Sequence, residues 1–160
     1  DGIRDSVASR GLGDVYKRQG CDYPIIYSRE NFVDRVRKIT KGEMVPVVYD
    51  SIGKATWPAS LDCLQKLGMF VTFGNASGPL PPLEALILSQ KGSLVMTRPT
   101  LFHFADTPER MRKMAGDVMK VIKSGAVKIE VNHKYSLREA ARAHRDLSAR
   151  KTTGSIILEP

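Results

Sequence analysis

An apolar run followed by a glycine-containing loop occupies residues 68–78, which read GMFVTFGNASG. Residues 69–73 are rich in β-branched and aromatic side chains and are flanked by glycines, which is typical of a buried strand in a parallel sheet. Gly74 and Gly78 allow the backbone to adopt a positive φ or to approach a ligand closely. Because ligands of open α/β sheets bind at the carboxyl ends of the strands, we expect this loop to border a binding site.

Strand-like and helix-like segments alternate between residues 20 and 100. The predicted strands are residues 22–27, 45–49, 69–73 and 93–97, and the predicted helices between them are residues 32–41, 57–67 and 83–89. Strands separated by helices indicate a parallel sheet with right-handed crossovers. Nearly all-apolar strands fit a sheet that is covered on both faces. The sequence therefore predicts the α/β class with a doubly wound parallel sheet.

After residue 100 the pattern changes. A long helix is predicted from a cap at Asp106 or Thr107 to residue 123, with an inner face of Met111, Met114, Val118, Val121 and Ile122. Residues 127–131 and 155–158 read as strands. Between them, Ser136 and Glu139 have the spacing of a capping box, and the helix that follows is predicted to bury a face of Leu137, Ala140, Ala141, His144 and Leu147.

Composition and charge argue against several classes of protein. The formal net charge is +8, but the positive residues are scattered, which favours solvated surfaces over a nucleic-acid interface. No apolar run approaches the ~18 residues of a membrane span, and no secretory signal is visible. Cys21 and Cys63 are too few for a disulfide framework or a zinc cluster. These features predict a cytoplasmic protein without a metal site or a membrane partner.

Residues 1–19 do not share the regular pattern of the rest, since they have no clear apolar period. Within them, residues 14–19, DVYKRQ, resemble the translation of a transposase adapter used to prepare sequencing libraries. We therefore expect residues 1–19 to be a non-native or disordered leader that takes no part in the fold.

No pairing of a nucleophile with a general base stands out, because the serines lack the GxSxG context. The three histidines, His103, His133 and His144, lack metal-binding spacing. His144 falls on a predicted apolar helix face and is interpreted as a packed histidine. His103 follows the last strand end, on the predicted ligand side, and is a weaker candidate for contact with a substrate.

Three predicted strand ends, residues 50–53, 73–77 and 97–100, would form one continuous rim in a parallel sheet. The rim is polar but uncharged apart from Asp50 and Arg98. Such a surface suits a nucleotide or a nicotinamide better than a metal ion. From the residues alone, a nucleotide-type ligand is as far as the prediction goes.

Several segments, taken together, resemble one protein family. They are residues 20–27 (GCDYPIIY), 47–53 (VVYDSIG), 60–64 (SLDCL), 73–78 (FGNASG), 90–94 (QKGSL), 97–100 (TRPT), 143–147 (AHRDL) and 150–155 (RKTTGS). The family is that of the NADPH-dependent quinone oxidoreductases, the zeta-crystallin-like, zinc-free branch of the medium-chain dehydrogenases/reductases. The resemblance runs in order from Gly20 to Pro160.

The resemblance implies a particular domain organisation. Members of this family have a GroES-like domain and a Rossmann cofactor domain, and this chain resembles only the later part of them. Residues 20–125 would be the second half of the Rossmann domain, and residues 126–160 would return to the GroES-like domain. The glycine-rich loop that holds the pyrophosphate is expected before Gly20, outside this chain.

The resemblance also implies the cofactor NADPH and a set of residues that bind it. They are Tyr27 near the 2′-phosphate, Ser51 beside the cofactor, the loop of Phe73, Gly74, Asn75 and Ala76, the strand end of Thr97, Arg98, Pro99 and Thr100 near the nicotinamide, and Arg150. No catalytic acid or base is implied, because the cofactor carries the chemistry.

The implied reaction is hydride transfer from NADPH to a quinone or a similar electron-poor carbonyl acceptor. Two alternatives stay open: a truncated Rossmann fragment with no activity and weak NADPH binding, and an RNA-binding protein of the zeta-crystallin type. The resemblance further implies a homodimer formed through the edge strand at residues 93–97. The strand at residues 23–27 would lack its native neighbours and either pair with residues 45–49 or stay unpaired, and the terminal strands are expected to pair with each other.

Overall fold

The computed structural model of the chain describes residues 21–27, 29–149 and 151–160. The chain divides into two compact units. The first unit is Arg29–Met111, and the second is Arg112–Pro160 together with residues 21–27. The prediction for residues 1–19 lies outside the described residues, and the predicted domain boundary after residue 125 stays a prediction.

The first unit is built on a three-stranded parallel sheet with the strand order β1-β2-β3. Its elements are α1 (Phe32–Ile39), β1 (Val45–Asp50), a 3₁₀ helix (Ala59–Cys63), β2 (Leu64–Thr72), α2 (Leu86–Gln90), β3 (Val95–Thr97) and α3 (Leu101–Phe104). The register places Asp50 beside Thr72 and Val71 beside Thr97, so the three strands end at one edge. The predicted parallel α/β arrangement is confirmed.

The core of the first unit forms around β2. Phe70 is fully buried and packs in one cluster with Leu61, Leu64 and Leu94. The ring of Trp57 lies 5.8 Å from that of Phe70, at a tilted angle. The central position of β2 is confirmed, but the predicted covering of both sheet faces is wrong for the outer strands, because Tyr49 of β1 is 73% exposed and Val95 of β3 is 49% exposed.

Helix α1 begins and ends close to where the sequence predicted. The side-chain oxygen of Asn31 accepts hydrogen bonds from the backbone N–H groups of Val33 at 3.0 Å and Asp34 at 3.3 Å, which caps the first turn. The helix ends at Ile39, and Gly42 just beyond it has a φ of 94°. Glycine is the residue that adopts this conformation with the least strain.

The helix predicted at residues 57–67 is wrong. The structure has a short 3₁₀ helix there, and β2 begins at Leu64, opposite Val45 of β1. Leu61 and Leu64 are buried as expected, but Leu67 is 75% exposed and has a φ of 63°. The leucine spacing resembles a helix face, but backbone hydrogen bonding to the neighbouring strand decides the conformation.

The strand predicted at residues 22–27 is also wrong, since residues 21–27 form no strand. Among the described residues, β1 pairs only with β2, so nothing joins the outer edge of β1. A strand needs a neighbour to satisfy its backbone N–H and C=O groups. Of the two expected alternatives, the unpaired one is therefore observed.

The second unit contains a two-stranded parallel sheet. The long helix α4 (Pro108–Lys123) crosses the boundary between the units, and β4 (Val131–Ser136), α5 (Ala140–Ser148) and β5 (Ser155–Glu159) follow it. The terminal strands pair with each other as expected, with Tyr135 beside Leu158. The predicted bounds of the first of these strands, residues 127–131, are wrong, because β4 begins at Val131. Val127 and Ile129 lie before the strand and are exposed.

Helix α5 starts with the predicted capping box between Ser136 and Glu139. Its predicted inner face is wrong, because Ala143 is the buried residue, whereas His144 and Leu147 are exposed. The hydroxyl of Tyr135 in β4 donates a hydrogen bond to Asp146 at 3.2 Å. The side of α5 that faces β4 is therefore the one that carries Ala143 and Asp146.

The predicted inner face of α4 is likewise not buried in the described part of the chain. Thr107 caps this helix as expected, since its hydroxyl accepts a hydrogen bond from the N–H of Arg110 at 3.2 Å. However, α4 contains no buried residue, and Met111 and Val118 are about half exposed. An apolar pattern buries a face only where another surface covers it.

None of the helices in the described residues has both the length and the apolar character needed to cross a membrane.

Candidate functional site

Three strands of the first unit end side by side and form a single rim. Asp50, Thr72 and Thr97 lie at or next to these ends in the register of the sheet. The rim predicted from the sequence is therefore present. It consists of the first rim loop (residues 51–56), the second rim loop (residues 73–78) and the third rim segment (residues 98–104).

The buried carboxylate of Asp50 binds the first rim loop through hydrogen bonds. Its Oδ1 accepts the backbone N–H groups of Ile52 at 2.8 Å and Gly53 at 2.9 Å. Its Oδ2 accepts the hydroxyl groups of Thr56 at 2.6 Å and Ser60 at 2.9 Å. The carboxylate is 4% exposed, so four donors replace the water that a surface carboxylate would have.

The protonation state of Asp50 follows from these contacts. Burial by itself raises the pKa of the Asp50 carboxyl, but the hydrogen bonds donated by Thr56, Gly53, Ser60 and Ile52 outweigh that effect and hold the pKa below its usual value. The group is therefore an ionised acceptor at neutral pH, and its role is to position the loop.

Hydrogen bonds clasp the first and second rim loops together. The N–H and the hydroxyl of Ser77 both donate to the carbonyl oxygen of Ile52 at 2.8 Å. The same hydroxyl accepts the N–H of Ala55 at 2.8 Å. The N–H of Ala76 donates to the carbonyl oxygen of Ser51 at 3.2 Å. These hydrogen bonds join the two loops into one surface.

Two glycines permit this close approach. A Cβ on Gly74 would collide with the carbonyl oxygen of Ser51 and lie 2.8 Å from its Cα. A Cβ on Gly53 would collide with the carbonyl oxygen of Gly78, and Gly53 also has a φ of 88°. The clasp therefore requires glycine on both loops.

An open pocket of about 680 Å³ lies where the second rim loop meets the third rim segment. It is lined by Phe73, Arg98, Pro99, Thr100, Leu101 and Phe104. Nη1 of Arg98 donates a hydrogen bond to Oγ1 of Thr72 at 3.1 Å. The pocket thus combines aromatic and aliphatic walls with one cation, which suits a flat organic ring.

The structure brings most of the predicted site residues together on one unit. Nine of them lie on the rim of the first unit: Ser51, Phe73, Gly74, Asn75, Ala76, Thr97, Arg98, Pro99 and Thr100. Tyr27 lies in a turn of the second unit, with 41% of its surface exposed. Arg150 lies outside the described residues. His103 is exposed in α3, between pocket residues 101 and 104.

Several residues that shape the site were not predicted. Thr56 and Ser60 bind Asp50 from six and ten positions along the chain, and no local pattern reveals such contacts. Leu101 and Phe104 belong to α3, which was missed. The available signal was the apolar character of Leu101, Phe102 and Phe104, which follow Pro99.

Among the described residues, no three His, Cys, Asp or Glu side chains come close enough together to hold a metal ion. These residues therefore do not fit a zinc site.

Comparison with known proteins gives consistent matches along the chain. A family model described as zinc-binding dehydrogenase matches residues 19–158. A quinone oxidoreductase of Pseudomonas aeruginosa is 49% identical over 155 residues, which are 97% of this chain and 48% of that protein. The chain spans about half the length of the curated relatives it matches.

Two solved structures are also similar. The structure of Escherichia coli quinone oxidoreductase complexed with NADPH matches with a TM-score of 0.84 and 42% identity, over 92% of this chain and 46% of that one. A quinone oxidoreductase of Pseudomonas syringae pv. tomato matches with a TM-score of 0.87 and 42% identity, over 96% of this chain and 47% of that one.

Proposed function

Because this chain belongs to the zinc-binding dehydrogenase family, we propose that it is part of an oxidoreductase that transfers hydride from NADPH to a quinone or a similar electron-poor carbonyl acceptor. The observation that carries the proposal is the clasped rim with its adjoining pocket. Dinucleotides bind at this edge of a parallel sheet. The names of the similar quinone oxidoreductases support the same reaction.

The rim has the features that a bound dinucleotide needs. Gly74 removes side-chain bulk where the two loops meet, which lets the loops pack into the continuous surface that a ligand would face. Ser51 and Asn75 are exposed and offer polar groups to the sugar and amide parts of a cofactor. The buried Asp50 keeps the first rim loop in place without presenting its own charge to the ligand.

The pocket is the proposed binding site for the acceptor ring. Bound NADPH supplies a hydride, and a proton from solvent completes the conversion of a quinone to a hydroquinone. The side chains of Phe73, Pro99 and Leu101 would pack against the acceptor ring and exclude water from it. Thr97 and Thr100 lie at the same strand end and would orient the cofactor.

Tyr27 and Arg150 have a separate proposed role, which rests on the family resemblance. The phenol of Tyr27 is exposed and would lie near the 2′-phosphate of NADPH. We propose that Arg150 is a further cation for the cofactor. Tyr27→Phe in the complete protein should raise the KM for NADPH and leave the KM for NADH unchanged. Equal changes for both cofactors would contradict the assignment.

The test of the function uses the complete protein that contains this chain. Purified enzyme should oxidise NADPH only when a quinone such as menadione is present, as followed by the loss of NADPH absorbance. Gly74→Ala, which separates the rim loops, should raise the KM for NADPH about tenfold. Gly116→Ala, on a helix with open space around it, is the matched control and should leave the KM unchanged. A folded enzyme with no quinone-dependent turnover would overturn the proposal.

We also propose that the protein is cytoplasmic and forms a homodimer through the outer edge of β3. No strand among the described residues pairs with that edge, and Val95 on β3 is 49% exposed. Light scattering should give twice the monomer mass. Val95→Lys should produce monomers, because a lysine on an edge opposes strand pairing. Val127→Lys, at an equally exposed valine outside the strands, should leave the dimer intact.

A further inference from the structure

A hydrogen bond ties Arg98 to the end of β2 at the pocket. Its Nη1 donates to Oγ1 of Thr72, and Thr72 is completely buried at the end of β2. A guanidinium tied to a buried hydroxyl loses much of the freedom of a surface arginine, so less entropy remains to be lost when a ligand binds.

The charge of Arg98 is not neutralised within the described part of the chain. No carboxylate among the described residues forms an ion pair with it, whereas Arg35, Arg37, Arg110 and Arg142 all have such partners. The other five residues that line the pocket carry no charge. The pocket therefore presents one cation beside apolar walls, with no ion-pair partner in the described part of the chain.

We propose that Arg98 is a specificity-determining residue that selects acceptors carrying an anionic oxygen substituent, such as a carboxylate or a sulfonate, on a flat ring. The inference rests on the proposed function and names the substrate class of the same site. A guanidinium presents several N–H donors in one plane, and the donors not used by Thr72 are free to bind two oxygens of an anionic group.

The walls of the pocket would hold the ring while Arg98 holds the anion. Phe73 is 52% exposed and Phe104 is 58% exposed, so both rings have open surface for stacking. A neutral quinone would use only these apolar contacts. The anionic analogue would use both sets of contacts, and the difference between the two ligands measures the contribution of Arg98.

A binding assay on the 160-residue chain tests the proposal without any need for turnover. The probes are anthraquinone-2-sulfonate and its neutral analogue anthraquinone-2-sulfonamide, which have no free quinone carbon that could alkylate a cysteine. Titrations followed by amide NMR should show the sulfonate bound about fivefold to tenfold more tightly. The shifted amides should include those of Phe73, Arg98 and Leu101, which line the pocket.

Two variants and one control make the assay decisive. Arg98→Gln should remove the preference for the sulfonate over the sulfonamide, whereas Arg98→Lys should retain part of that preference. Arg37→Gln removes an exposed cation that is paired with Asp34, and should have no effect. Equal binding of the two probes, a preference that survives in Arg98→Gln, or no binding of the sulfonate would each overturn the proposal.

A kinetic measurement separates a role toward the acceptor from a role toward the cofactor. In the complete protein, Arg98→Gln should lower kcat/KM for the sulfonated acceptor about fivefold to tenfold more than for the neutral one. A rise in the KM for NADPH with equal losses of kcat/KM for the two acceptors would assign Arg98 to the cofactor alone and overturn the proposal. If the enzyme reduces no quinone but the chain still prefers the sulfonate, the proposed function fails and the anion site stands.

Discussion

The hydroxyl of Thr56 donates a hydrogen bond of 2.6 Å to Oδ2 of Asp50, and both residues are more than nine-tenths buried. This contact joins the end of β1 to the far end of the first rim loop. The loop is therefore closed on itself beneath the surface that would face a ligand.

Replacing the buried carboxylate should destabilise the first unit. Asp50→Asn keeps the size of the side chain, but its amide nitrogen cannot accept the two hydroxyl hydrogens that Oδ2 accepts now. We expect the free energy of unfolding to fall by about 2–3 kcal/mol. Urea unfolding followed by the fluorescence of Trp57, which packs against Phe70, measures the change.

The matched control for this substitution is Asp34→Asn. Asp34 pairs with Arg37 on an exposed surface, where an ion pair contributes less than about 1 kcal/mol. Its unfolding curve should almost overlay that of the unchanged chain. An effect of Asp50→Asn no larger than that of Asp34→Asn would show that the buried network does not stabilise the loop.

The stability that Asp50 contributes should depend on pH in one direction. Its pKa is lower in the folded state than the value of about 3.9 of an unfolded chain, so the folded state binds the proton less tightly. The contribution is complete above about pH 4 and is lost as the pH falls through the folded pKa. The difference in unfolding free energy between the unchanged chain and Asp50→Asn should be constant from about pH 7 to 5. It should become smaller below about pH 4. Narrowing that is complete at about pH 5 would contradict this sign.

Gly74→Ala should weaken the clasp between the rim loops. The added Cβ collides with the backbone of Ser51, which cannot rotate away as a side chain can. We expect a loss of about 2 kcal/mol in unfolding free energy, together with faster hydrogen exchange at the amide of Ala76. Gly116→Ala in α4 meets nothing within 4 Å and should stabilise the helix by about 0.5–1 kcal/mol. Similar changes in unfolding free energy from the two substitutions would mean that the backbone around Ser51 relieves the collision without a loss of stability.

The two cysteines should differ sharply in reactivity. Burial, followed by the negative charge of Asp62, raises the pKa of the Cys63 thiol to about 11, and the positive charge of Arg37 offsets only part of this. Cys21 is exposed. A disulfide reagent at about pH 8 should label one thiol quickly, and Cys21→Ser should remove that fast reaction. Rapid labelling of both thiols in the native chain would contradict the burial of Cys63. In urea, where the chain is unfolded, both thiols should react.

Much of the first unit could be predicted because its signals are local. The apolar run before Gly74 and the polar residues after Asp50 identify strand ends, and parallel pairing then brings those ends together. The contacts of Thr56 and Ser60 with Asp50 could not be predicted, since hydroxyl groups six and ten residues away carry no periodic signal. Their geometry appears only after the loop has folded back.

The errors share one physical cause. Leu67 has helical spacing but is exposed, and residues 22–27 have strand-forming side chains but form no strand. In each case a backbone partner, or the lack of one, overrides the local preference. In α5 the sequence pattern placed His144 inside, yet the bond between Tyr135 and Asp146 turns a different side of the helix toward the sheet.

By itself, the sequence determined the α/β class of this protein, the parallel β2 strand and the polar rim at its end, because side-chain periodicity and glycine positions act over a few residues. Only the tertiary structure decided which helix faces are buried, that Asp50 lies beneath the first rim loop, and that Arg98 lies in an aromatic pocket with no ion-pair partner among the described residues. Burial and charge compensation depend on groups that are distant along the chain, and folding alone brings those groups together.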